Sequence, residues 1–144
     1  ENVKVFKSFP NVSRVVGAFT VQANNIMQIH KVIDYFLNNM GIVFYSHRVT
    51  YPRPLNAQTL PQELKQKVID RLKRMKTKIL DYPLVQEHKL LEQVTVQQIQ
   101  DNINFLQAKD LSEFWQDCID FNLKLDATRN QDFFAVNPEF KPYA

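Results

Sequence analysis

Glycine is scarce, with only Gly17 and Gly41 in 144 residues. So little of it excludes a glycine-rich phosphate loop and leaves little material for tight hairpins, whose turns take positive φ. Cysteine is scarcer still. Cys118 stands alone, which rules out an internal disulfide and gives no basis for a zinc or iron–sulfur site built from this chain alone. A single thiol fits an intracellular, cytoplasmic setting better than an oxidising one. No apolar run approaches the roughly 20 residues that span a bilayer, and no charged-then-apolar signal segment opens the chain, so no membrane partner is expected. The first residue is Glu1 rather than methionine, consistent with a processed or excised piece of something longer.

What remains is an ordinary folded composition, 44% hydrophobic and 23% charged, of about one domain's length. Arg14 to Pro54 organises it, because the apolar period changes twice there. Arg14 to Gln22 is rich in Val, Phe and Thr and reads as a strand. Asn24 and Asn25 follow, either of which suits the N-cap of a helix. Ile26, Ile29, Ile33, Phe36 and Leu37 then recur at helical spacing. Gly41 sits where a helix ends in a left-handed residue, and Ile42 to Tyr51 is extended again until Pro52 and Pro54. Strand, helix, strand at these lengths predicts a parallel βαβ unit.

Val3, Val5, Phe6 and Phe9 before Pro10 fit a short strand or the end of a helix. Pro52 to Pro61 reads as a surface linker, with Pro61 in the first turn of the next helix. That helix carries the chain's main charge cluster, Lys65, Lys67, Arg71, Lys73, Arg74, Lys76 and Lys78, opposite an inner stripe of Leu64, Val68, Leu72, Met75 and Ile79. The cations read first as a solvated face. The alternative is a small helical module binding nucleic acid, or another protein, through Lys67, Arg71, Arg74 and Lys78, although no aromatic interleaves them for stacking. Tyr82-Pro83 stops the helix. Leu84 to Val94 reads as one or two turns with Leu84, Val85, Leu90 and Leu91 inward. Thr95 with Gln98 has capping-box spacing before Val96, Ile99, Ile103 and Leu106. Asp110 or Ser112 caps a last helix burying Trp115, Cys118, Ile119 and Asn122. Asp126 and Arg129 pair or pin the tail, whose Phe133, Phe134 and Phe140 dock on the core or on a partner. His30, His47 and His88 lack metal-ligand spacing. Ser46 and His47 are neighbours on opposite faces of a strand, and Ser8, Ser13 and Ser112 have no suggested base.

Three of these stretches, in this order, resemble the C-terminal half of twitch-type radical S-adenosylmethionine proteins. They are the strand ending Val21-Gln22 with Asn25 opening a helix, the block Gln58 to Lys65 (QTLPQELK), and the ending Leu125 to Phe133 (LDATRNQDF) through Asn137 to Phe140 (NPEF). The resemblance implies a helix-rich α/β fold, the last βαβ unit of a partial (β/α)6 barrel, with residues 1–80 belonging to the barrel and 81–144 forming a helical C-terminal extension. It implies S-adenosylmethionine and a [4Fe–4S] cluster in the intact protein, a missing N-terminal barrel half as partner, and a peptide or other macromolecule as substrate. The family's C-x3-C-x2-C loop and glycine-rich stretch are both missing, so this chain alone should bind no cluster and cleave no cofactor. By the same resemblance Gln22, Asn24 and Asn25 would meet ribose or carboxylate, and Thr50 and Tyr51 the adenine; as residues they read equally as helix caps and packed side chains.

Overall fold

The computed structural model describes residues 2–12 and 15–144; Ser13 and Arg14 lie outside them. The chain is helix-rich α/β, and among the described residues its strands are one parallel pair. β1 (Val16–Val21) runs beside β2 (Val43–Arg48) in the register Val16 to Val43 through Val21 to Arg48. Arg14, expected to begin the first strand, is not among the described residues. The connection between the strands is α2 (Ile29–Asp34), entered through a tighter turn at Ile26–Gln28 and left through a wider one over Tyr35–Asn39. Ile26, Ile29, Ile33 and Leu37 are buried, the stripe that its spacing predicts. Gly41 takes φ +60°, the left-handed stop that lacks a Cβ penalty only in glycine.

Side chains alternate across a strand, and only one face of this pair is covered. Phe36 of the connecting helix packs at Gly17 and against Phe44, which in turn meets Phe19. On the same face Ser46 binds the next layer, its N–H and hydroxyl donating to Gln98 Oε1 (3.1 and 2.8 Å) while Asn102 Nδ2 donates to Ser46 Oγ (2.8 Å). The opposite face carries Val16, 49% exposed, with Ala18, Thr20, Tyr45 and His47, all exposed. Val43 at the start of β2 is its buried member. α1 (Asn2–Ser8), a helix where a strand was the other expectation, buries nothing and leaves Val5, Phe6 and the following Phe9 about half exposed.

The helical remainder is α3 (Gln62–Lys78), the short α4 (Pro83–Glu87), α5 (Lys89–Ala108), α6 (Trp115–Arg129) and the single turn α7 (Phe133–Val136). Pro61 stands just before α3 rather than within its first turn. One buried cluster runs from Val21 to Phe140 and draws on residues 1–80 and 81–144 alike. The tail docks inward: Phe140 is fully buried, edge-on to Trp115 with ring centres 5.1 Å apart, and Trp115 Nε1 donates to the Tyr143 carbonyl at 2.7 Å. No described helix is long and apolar enough to cross a membrane.

Four local readings change. Pro52 to Pro61, expected as a surface linker, buries Asn56, Ala57, Gln58, Thr59 and Leu60, with Ala57 and Leu60 joining the core. Asn25 makes no cap bond; its amide turns back to the strand, Oδ1 accepting from Gln22 N–H and Nδ2 donating to the Thr20 carbonyl, each at 2.9 Å. Thr95 lies buried inside α5, which starts at Lys89, so the capping-box spacing marks no helix start. The turns before it had already satisfied the geometry that a cap would supply. Leu90, expected inward, is 66% exposed, because α5 begins one residue earlier and Leu91 takes the buried side.

Candidate functional site

The carboxyl ends of β1 and β2 are covered by α6 and the tail. The turn Arg53–Leu55 packs on α6, and its Leu55 carbonyl accepts from Ala23 N–H at 2.8 Å, so the segments leaving the two strands are tied together there. The Arg53 guanidinium lies 3.9 Å from the centre of the Phe114 ring, a stacked cation that fixes this turn on the start of α6.

Two clefts open at this end, and they divide the five expected site residues. Gln22, Asn24 and Asn25 line a cleft of about 520 Å³ whose far wall is Asn122 and Asp126 of α6, with Arg129, Asp132 and Asn137. Thr50 and Tyr51 line another, of about 870 Å³, shared with Arg53, Lys109, Asp110 and Phe114. Tyr51 is 86% exposed, not the packed aromatic that a core reading would make it. Asn25 is spent on the strand end and positions the loop. Asn24 is different: its Oδ1 is buried and meets no donor among the described residues.

The tail supplies a second such atom. Asn137 is 5% exposed; its Nδ2 donates to the Phe133 carbonyl at 3.3 Å, and its Oδ1 is buried without a partner. Asp126 pins the tail rather than pairing with Arg129: its Oδ2 accepts from Phe133 N–H at 2.6 Å. Asp132 caps α7 through Oδ1, which accepts from Ala135 N–H at 3.0 Å. Asn122 and Asn137 carry no sequence mark of a site, since buried amides in helices and turns usually serve the backbone.

The basic helix does not present one free face. Lys65, expected outside, is 2% exposed and reaches Asp110 at 2.8 Å, an ion pair that holds the Asp110 carboxyl far below the usual range. Arg71 forks onto both oxygens of Glu139 at 2.9 and 2.8 Å and also donates to the Met27 carbonyl. Lys78 pairs with Asp34, which also accepts from the Tyr82 hydroxyl. Of the four cations of the nucleic-acid alternative, Arg71 and Lys78 are thus engaged. Lys67 and Arg74 remain exposed.

His30 sits beside α3, where burial and then Arg71 and Lys31 lower its pKa. Among the described residues no three His, Cys, Asp or Glu side chains gather as a metal site would need. Cys118 is fully buried, and desolvation pushes its pKa up to about 12, the opposite of the thiolate a cluster requires. The residues present therefore do not fit an iron–sulfur cluster held by this chain. Comparison with protein families, curated proteins and solved structures finds no match to the chain.

Proposed function

We propose that this chain is the C-terminal portion of a radical S-adenosylmethionine enzyme acting in the cytoplasm, closing a partial (β/α)6 barrel whose cluster-binding half is encoded upstream. The observation that carries this reading is the half-covered parallel pair. Parallel strands are normally buried on both faces, yet here helices cover one face only. The other presents Val16, Ala18, Thr20, Tyr45 and His47, and no described backbone group pairs with the outer edge of β1. A barrel wall has this arrangement, with helices outside and an inner face turned to its lumen. The half-exposed apolar residues Val5 and Phe6 of α1 are further uncovered surface of the kind a partner would cover.

In this reading the cluster and S-adenosylmethionine would supply hydrogen-atom abstraction, with the cluster held by cysteines encoded upstream of this chain. The chain's own residues shape the pocket mouth. Thr50 and Tyr51 border the cleft offered to the adenine; the Gln22, Asn24 and Asn25 cleft, which the resemblance gave to ribose or carboxylate, is separate from it and is offered instead to a peptide or other macromolecular substrate. Unpaired strand edges seek partners, so the upstream half would complete the sheet at β1.

The test is the coding sequence immediately before Glu1. An in-frame three-cysteine loop is expected, and the extended protein, reconstituted with iron and sulfide under reducing anaerobic conditions, should release 5′-deoxyadenosine from S-adenosylmethionine. A start codon at that point, or no such loop, removes the assignment. The alternative, nucleic-acid binding through Lys67, Arg71, Arg74 and Lys78, predicts an affinity that falls steeply with salt. The engagement of Arg71 and Lys78 with carboxylates counts against it.

A further inference from the structure

We infer that the cleft between the end of β1 and the tail is a binding site for a primary ammonium group, such as a lysine side chain or a peptide amino terminus. Two buried amide oxygens, Asn24 Oδ1 and Asn137 Oδ1, meet no donor among the described residues, and both asparagines line this one cleft. They come from segments more than 100 residues apart in sequence, and each pays desolvation with no bond in return. The orientation of Asn137 is set by its own donation to the Phe133 carbonyl, so its oxygen and not its nitrogen is the free atom. Both oxygens accept and cannot donate, which selects a ligand rich in donors.

Charge selects further. Asp126 and Asp132 line the same cleft, and each has only one oxygen committed to a backbone N–H. A group with three donors, no acceptor and a positive charge matches two amide oxygens and a carboxylate. A hydroxyl would leave the carboxylates uncompensated. Among the described residues Arg129 is the one cation on the lining, and it is exposed; it competes with such a ligand and holds its affinity down. That the ammonium belongs to an enzyme's substrate rests on the proposed function. The binding itself does not.

The experiment is a titration of the 15N-labelled chain with N-acetyl-lysine methylamide, followed through the backbone signals and the side-chain NH2 signals of Asn24 and Asn137. Shifts confined to this cleft are expected. Asn24→Ala should weaken binding about tenfold, the scale of a lost hydrogen bond to a charged group. Asn24→Asp should tighten it, and Arg129→Gln, at an exposed position that folding tolerates, should tighten it severalfold by removing the competing cation. Equal binding of the same probe acetylated on its side-chain nitrogen overturns the inference, as does the absence of shifts with the amine at tens of millimolar. Adenosine shifting these signals where the amine does not would return the cleft to the cofactor's ribose, sinking this inference while the radical chemistry of the proposed function stands. Amine binding in a protein without the upstream cysteine loop does the reverse.

Discussion

The ring of Phe36 occupies the space in which a side chain at Gly17 would begin. The helix that joins the two strands is seated on β1 by that contact, with Phe36 also meeting Phe44 at 6.2 Å between ring centres. Gly17 is therefore a packing glycine. A methyl there would strike an aromatic ring packed against the core rather than a flexible side-chain end. Gly17→Ala is expected to destabilise by about 1–3 kcal/mol, the cost of overpacking, read as a lower urea midpoint at unchanged slope. A neutral result would show that α2 slides on the sheet freely.

Lys65 tests the cost of an interior charge. With its amine buried and Asp110 as its ion-pair partner, removing only the carboxylate leaves a cation without compensation. Asp110→Asn should lower the melting temperature clearly, and adding Lys65→Met to it should restore most of the loss. If Asp110→Asn melts like the parent, the buried amine has found other solvation and the pair is incidental.

The tail is fastened by Arg71, whose hydrogen bonds to Glu139 hold that carboxyl below its ordinary value. A depressed folded-state pKa gives stability that is fully present above the unfolded value, near 4.3 for glutamate, and is lost as pH falls through the folded value. Glu139→Gln should cost about 1 kcal/mol at neutral pH, and the difference from the parent should fade in acid. A difference independent of pH would assign the effect to packing.

Cys118 should be silent toward Ellman's reagent at pH 8 in the folded protein. Its thiol is fully buried, and its pKa stands at about 12, so the reactive thiolate is almost unpopulated. Labelling should appear only with denaturant, tracking global unfolding. Rapid labelling in buffer would mean that α6 opens locally, and with it the end of the sheet where both clefts lie.

The open sheet face and the two clefts differ in how far the sequence foretold them. Strand character was readable over Arg14 to Gln22 and Ile42 to Tyr51 from β-branched and aromatic residues, although only Val16–Val21 and Val43–Arg48 pair among the described residues, and the parallel pairing was readable from one helix-length connection. Which face stayed bare was not, because alternation assigns residues to two faces and cannot say which face the helices will take. At the site, Gln22, Asn24 and Asn25 were readable as the end of a strand, yet their partners Asn122, Asp126 and Asn137 arrive from about a hundred residues further on. Thr50 and Tyr51 were expected beside them and instead border a separate cleft.

The sequence by itself determined the local units: an apolar stripe on α2, the left-handed end at Gly41 and the inner face of α3. These depend on backbone period and on what one residue can do to its neighbours. Only the tertiary structure decided that Lys65 is buried, that Arg71 and Lys78 are bound, that Asn25 serves a strand and that Asn24 and Asn137 share a cleft. The partners in those ion pairs lie 44 to 68 residues apart along the chain, and spacing carries no signal for a contact that exists only once distant elements have packed.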